Sequence, residues 1–267
     1  MRPEDLGYMQ MARELVEHGE LFRVFLFRQI SIRYAQTALG ALWVVLQPTM
    51  FALIYSLVFG VFAAAPSEGK PYFLFSYCGT VAWTLFAQGI ERAGTSFIQD
   101  ERLVTKTWFP RLLLPFAAAS SVLLDVLVAI TLLFIALPFF GGFTGWSMLL
   151  AIPALLILLM LALGAGTLLA AINVRWRDIR QATPTLVQVL VWVTPVAYPL
   201  VMVPESMRST ALANPLAAPI LLFRHAMIGT TPPPAWSLAW SAAVAVALLL
   251  WAIQVFRRVE RTLADHI

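Results

Sequence analysis

The sequence predicts an all-α membrane protein with six transmembrane helices, an N-terminal amphipathic interface helix and a short re-entrant hairpin between helices five and six. Three observations lead there. The stretch Leu39–Ala65 contains no charged residue, and comparable runs recur about six times in 267 residues; about 20 apolar residues suffice for a helix to cross a hydrocarbon core of roughly 30 Å. Hydrophobic residues make up 60% of the chain and charged ones 12%, against about 45–50% and about 25% in soluble domains. The basic residues, finally, are distributed on one side of the predicted spans.

Taken in order, the opening MRPEDLGYMQ places acidic residues where a signal peptide needs an apolar core, which argues for no cleaved signal and a cytoplasmic N-terminus. Residues 8–32 alternate charges with Leu15, Val16, Leu21, Phe22, Phe25 and Leu26, the pattern of a helix lying along a membrane surface; simple anchoring is the plainer role. Spans are expected at 38–64, 72–97, 111–139, 146–173, 182–203 and 236–256. The whole chain, 1–267, then reads as one transmembrane domain: a cytoplasmic segment 1–37, a bundle 38–256 and a tail 257–267. Fifteen of the 18 basic residues fall on one side, leaving Lys70, Arg208 and Arg224 on the other. Because cytoplasmic loops carry the Lys/Arg excess, both termini are expected inside. Residues 204–235 contain an apolar stretch, Leu212–Ile228, broken by Pro215 and Pro219. It is too short to span and too apolar for a free loop. A hairpin dipping in from the outer face fits, provided other protein shields its backbone; a surface-lying helix is the alternative.

Few residues offer chemistry. There is no GxxxxGK[ST] phosphate loop, no HExxH pair and no GxSxG elbow. Cys78 is the single cysteine and the three histidines lie far apart, so no metal site is expected. Gly164–Gly166 sits inside a span, where small residues allow close helix packing. Asp125 falls within the third span, and Glu91–Arg92 lie near the inner end of the second. A buried carboxylate is costly in a membrane and here reads either as an interhelical partner or as a proton-carrying group. In the first span Trp43, Phe51, Tyr55, Phe59 and Phe62 share a helical face with Gln47, and the fifth adds Trp192 and Tyr198 beside Gln188 and Thr194. Aromatic planes with amides suit sugar rings and their hydroxyls, so this stripe is a candidate substrate path; lipid-facing packing is the competing reading. The connection QDERLVTKTWFPRLLLP mixes charges with Leu103, Val104, Trp108 and Phe109, which suits either docking a partner or lying flat on the membrane.

Five blocks carry a family resemblance. RQISIRYAQTALGALWVVLQP (28–48), LVTKTWFPRLLLP (103–115), VRWRDIRQATP (174–184), NPLAAPILLFRHAMIG (214–229) and FRRVERTLADHI (256–267) stand in order along nearly the whole chain. Together they resemble permease subunits of type-2 ABC exporters that handle O-antigen, capsule or teichoic acid. The resemblance implies a homodimer in the inner (cytoplasmic) membrane, paired with two copies of a separate ATPase that binds ATP and magnesium, so no cofactor is expected here. It implies a lipid-linked polysaccharide as substrate and no nucleic-acid partner. The 98–110 loop would be a coupling helix using Glu101, Arg102, Leu103, Lys106, Trp108 and Phe109, and the hairpin, with Asn214, Pro215 and Arg224, an outer gate. Arg28 and Arg33 become candidates for the lipid pyrophosphate, since guanidinium groups bind phosphate oxygens bidentately; topology alone accounts for them equally well. One departure is that Thr105 and Thr107 flank Lys106, where family members often carry a second basic residue. A permease of the same architecture moving a lipid or drug, and a proton-coupled carrier using Asp125, remain as alternatives.

Overall fold

The computed structural model describes residues 18–34, 40–100, 103, 109–140, 145–173, 176 and 178–266. Among these there are helices and turns and no strand. Helix α1 is Gly19–Tyr34, and α2 is Gly40–Tyr55, which continues as a π-helical segment Ser56–Phe62. Next come α3 (Tyr72–Gln99), α4 (Leu113–Ser120), α5 (Val122–Phe140) and α6 (Ala151–Asn173, led in by a 3-10 turn Gly145–Leu150). Helices α7 (Asp178–Val193), α8 (Glu205–Ala213), α9 (Ala217–Ile228) and α10 (Ala235–His266) complete the fold.

Helix α3 is the axis of the bundle: 78% of its most apolar stretch is buried, against 22% for Leu42–Phe62 and 17% for Ala235–Val259. Small residues make this possible. A Cβ on Gly166 would lie 2.5 Å from Ala93 Cβ, and one on Gly89 would lie 2.9 Å from Ala162 Cβ, so α3 and α6 touch backbone to backbone, the packing that membranes favour without a hydrophobic driving force. Asn173 Nδ2 donates to the Gly94 carbonyl at 2.7 Å and locks their other ends. The close packing expected at Gly164–Gly166 is therefore present, Gly164 facing Leu248 and Leu249 of α10.

Among the described residues five helices are long and apolar enough to cross a membrane: Leu42–Phe62, Tyr72–Gln99, Leu113–Phe140, Gly145–Asn173 and Ala235–Val259. The protein is multi-pass. Over the expected fifth span, 182–203, the α-helix Asp178–Val193 ends early and is followed only by a 3-10 turn, Leu200–Met202. The 16 residues of the helix rise about 24 Å at 1.5 Å each. The helix stops there because Pro195 and Pro199 lack the N–H that further turns require, and Thr194 Oγ1 donates to the Leu190 carbonyl at 2.8 Å.

The stretch around Pro215 forms two helices, α8 and α9, bent by 98° at the break. Asn214 Nδ2 donates to Thr194 Oγ1 at 2.9 Å, Trp240 Nε1 to the Ala213 carbonyl at 2.9 Å, and Thr231 N to Glu68 at 2.6 Å. All three partners sit at the end of the bundle where α3 and α10 begin. Helix α9 is shielded by α3, α6 and the Gly145–Leu150 turn, while α8 packs on α9 and α10.

Helix α1 lies at the opposite end, against α4. Phe25 is buried there, with its ring 5.1 Å from that of Phe109, edge to face. Val24, Phe27 and Ile32 remain exposed, so α1 has apolar residues both toward protein and away from it. The part of the expected surface helix before residue 18 lies outside the described residues.

Candidate functional site

A cavity of about 380 Å³ opens between α2, α3 and α7. Helix α2 contributes Gln47, Phe51, Ile54 and Tyr55; α3 contributes Thr80, Trp83, Thr84, Ala87, Gln88 and Glu91; α7 and the turn after it contribute Pro184, Val187, Gln188, Val191, Trp192 and Val196. Of the eight residues expected along a substrate path, Gln47, Phe51, Tyr55 and Trp192 line this cavity. Phe59 and Tyr198 extend it, their rings 6.4 Å apart. Tyr55 ties the column together, 6.2 Å from Phe51, 6.4 Å from Phe59 and 6.2 Å from Trp192 in edge-to-face contact. Trp43 and Phe62 stand apart from the cavity, 53% and 75% exposed.

The wall from α3 was not among the expected path residues. Its signal is visible in retrospect as a spacing: Thr80, Thr84, Gln88 and Glu91 recur every three or four residues in an otherwise apolar helix, which puts them on one face. The aromatic wall has local causes too. Pro48 and Pro184 sit inside α2 and α7, each deleting one helical hydrogen bond. Directly after Tyr55 the backbone widens into the π-helical Ser56–Phe62, a distortion that recurs at functional sites.

Gln88 of the cavity wall also belongs to a charged network outside the cavity lining. Asp125 Oδ2 accepts from Arg33 Nη1 at 2.7 Å and from Arg92 Nη2. Gln88 Oε1 accepts from both arginines, at 3.3 and 2.8 Å, and Arg92 Nη1 donates to Ser121 Oγ at 2.9 Å. The interhelical partner expected for Asp125 is thus present: the carboxylate joins α1 and α3 to α5. Arg28 pairs with Asp100 at 2.6 Å, and Gln29 Nε2 donates to the same carboxylate at 3.1 Å. Both arginines offered for a pyrophosphate therefore engage carboxylates, while Arg28 stays 39% and Arg33 30% exposed.

The residues expected at a coupling loop divide in the same way. Phe109 is buried and Leu103 packs beside it, in a cluster with Phe25, Phe97 and Phe256. Glu101, Arg102, Lys106 and Trp108 lie outside the described residues. Helix α1 grips both edges of this loop, through Asp100 before it and Phe109 after it.

At the far end Arg224 is fully buried. Its Nε donates to the Phe75 carbonyl at 3.2 Å, and its Nη2 donates to Pro195 and Val196 carbonyls at 3.2 and 2.6 Å. The guanidinium also lies 3.8 Å over the Phe75 ring. Asn214 accepts from Leu216 N at 3.0 Å and donates to Thr194, holding the bend at Pro215. Among the described residues no group of His, Cys, Asp and Glu is placed to hold a metal.

Residues 20–228 match the family model described as ABC-2 type transporter. The chain is 31% identical over 262 residues to the O-antigen export system permease protein RfbA of Myxococcus xanthus, covering 97% of this chain and 100% of that one. It is 27% identical over 213 residues to a Klebsiella pneumoniae protein of the same name, covering 79% and 82%. Similarity also extends to the polysialic acid transport protein KpsM of Escherichia coli, 22% identical over 241 residues, covering 88% and 92%. With five membrane-length helices and a family match over most of its length, this chain belongs to the ABC-2 type transporter family.

Proposed function

We propose that this chain is the membrane-spanning subunit of an ATP-driven exporter that moves a lipid-linked polysaccharide out of the cytoplasm, O-antigen in the first instance and otherwise capsule or teichoic acid. The observation that carries the reading is end-to-end similarity, at 31% identity, to a permease named for O-antigen export. The cavity supports it. Phe51, Tyr55 and Trp192 offer ring faces while Gln47, Gln88, Gln188 and two threonines offer polar contacts, the combination a sugar chain needs in order to slide without being held. The chain carries no phosphate loop, so ATP and magnesium belong to a partner ATPase.

A homodimer in the inner membrane completes the path. Helices α2 and α7 leave Phe51, Leu53, Leu57, Val189, Trp192 and Val193 between 45% and 58% exposed, and a second copy facing them would close the cavity into a channel. The basic-residue excess supports cytoplasmic termini, and α8 and α9 would then form the gate on the outer side. ATP-driven closure of two partner ATPases would reach the bundle through the 98–110 loop as a rigid-body tilt. The exposed portions of Arg28 and Arg33 would meet the lipid pyrophosphate as it enters.

Helix α1 acts in this scheme as the brace of the coupling loop. Arg28→Asp is expected to lower export at least fivefold while ATP hydrolysis by the assembled complex continues, because Asp100 loses its partner. Combining Arg28→Asp with Asp100→Arg restores the pair and most of the export. Equal loss of hydrolysis and export in the single variant, with no recovery in the double, would remove this role from α1.

The function itself is tested by deleting the gene, measuring surface glycan and internal lipid-linked glycan, and re-supplying either the wild-type chain or the Phe51→Ala/Tyr55→Ala double variant. Loss at the surface with internal accumulation is expected, reversed by the wild-type chain. The double variant is expected to restore export several-fold more slowly at equal membrane abundance. An unchanged surface after deletion would discard glycan export and leave an exporter of a lipid or small hydrophobic molecule.

A further inference from the structure

We infer that the exported glycan is uncharged and rich in neighbouring hydroxyl groups, and that Glu91 is the residue that turns polyanionic chains away; this rests on the glycan-export reading above. Glu91 is the one carboxylate among the described residues lining the cavity, and no Lys, Arg or His lines it. Its carboxylate makes no hydrogen bond or ion pair with any described residue, whereas its neighbour Arg92 is turned away into Asp125, Ser121 and Gln88.

The polar groups beside it are neutral. Thr80 and Thr84 spend their hydroxyl protons on the carbonyls of Ser76 and Thr80, each at 2.8 Å, so toward the cavity they offer oxygen lone pairs. Arg33 and Arg92 both donate to Gln88 Oε1, which turns the Gln88 amide nitrogen toward Gln47 Oε1 at 3.4 Å. The Gln47 and Gln188 amides donate as well as accept, so what sets this lining apart is the free Glu91 carboxylate, its one fixed charge among the described residues. Sugar hydroxyls are donors, and two on adjacent ring carbons match the two oxygens of a carboxylate. A sugar carboxylate or phosphodiester is an acceptor with a negative charge. It would be repelled by Glu91 in surroundings of low dielectric. Exclusion of the wrong partner by a like charge is an economical source of specificity.

Two measurements test this. The lipid-linked glycan that accumulates in the deletion strain is run on an anion exchanger, where it is expected to pass unretained once its lipid pyrophosphate is cleaved. The permease and its ATPase are then placed in a host lacking its own exporters and supplied in turn with a neutral polymannan and with polysialic acid. The wild-type complex is expected to export the polymannan at least tenfold better. Glu91→Gln is expected to reduce that preference at least tenfold, and Glu91→Asp to retain it. A native glycan bearing carboxylates or phosphates, or a preference unmoved by Glu91→Gln, overturns the charge filter and leaves glycan export standing. A deletion strain with no internal glycan and an unchanged surface overturns the export reading, and the filter with it.

Discussion

Arg224→Ala is expected to leave almost no folded protein in the membrane. The side chain is fully buried and donates to three carbonyls, those of Phe75, Pro195 and Val196. Deleting it takes the donor from each, at about 1–3 kcal/mol for a buried group left unsatisfied, and also removes the contact with the Phe75 ring. Arg224→Lys keeps the charge but gives up the planar fork that spans two elements, so partial recovery is expected. Gly79→Ala tests the same joint from the other side. A Cβ there would lie 2.2 Å from the Val196 carbonyl oxygen and 2.6 Å from Arg224 Nη2. The oxygen is backbone and cannot step aside unless the 194–198 turn moves. Gly19→Ala, which meets nothing within 4 Å, is the control. Membrane abundance and the midpoint of thermal unfolding in detergent are the readouts. A normal yield and midpoint for Arg224→Ala would mean that the joint does not hold α9 to α3.

Much of this fold was legible because membranes impose so few solutions. Span length, the break at Pro215 and the small residues of Gly164–Gly166 are local features, and each appears in the structure near its expected place. What was illegible is non-local. Arg224 was expected as part of an outer gate, and its bond to Phe75, 149 positions away, has no local signal. Arg33 and Asp125, 92 apart, were noted separately, and nothing in either neighbourhood names the other. The fifth span was drawn too long because hydropathy does not register the missing N–H groups of Pro195 and Pro199.

The candidate cavity divides along the same line. Its aromatic half was visible as a stripe on two spans, since rings at helical spacing stand out. Its polar half on α3 was weaker as a signal, because two threonines and a glutamine in a membrane helix more often bond their own backbone. Thr80 and Thr84 do that as well, and face the cavity with what remains. Trp43 and Phe62 belong to the stripe by spacing but not to the cavity by position: the π-helical turn after Tyr55 rotates Phe62 out of register, and Trp43 lies a turn before the cavity begins.

Asp125→Asn is the second change expected to have a large effect, and it acts on both stability and coupling. Arg33 and Arg92 meet on one oxygen of Asp125, which is buried, while the arginines are 30% and 21% exposed. Removing the negative charge leaves two guanidinium groups converging on each other. Breaking a buried pair costs about 3–5 kcal/mol; the partial exposure of the arginines lowers that toward the bottom of the range. Asp125→Asn is therefore expected to unfold in detergent at a clearly lower temperature. Adding Arg33→Gln removes one of the two repelling cations, so the double variant is expected to be more stable than Asp125→Asn alone, a non-additivity that a merely space-filling aspartate would not produce. Export separates the two roles. Arg33 is the tie between the C-terminal end of α1 and the bundle, so the double variant recovers stability without recovering the grip on α1. Assembled with its partner ATPase, it is expected to sustain ATP hydrolysis while exporting less glycan per ATP than the wild-type complex. If export returned in step with thermal stability, the network would be a structural fastening alone, and the transmission of the ATPase stroke would have to run through the Phe25–Phe109 contact and the Arg28–Asp100 pair without it.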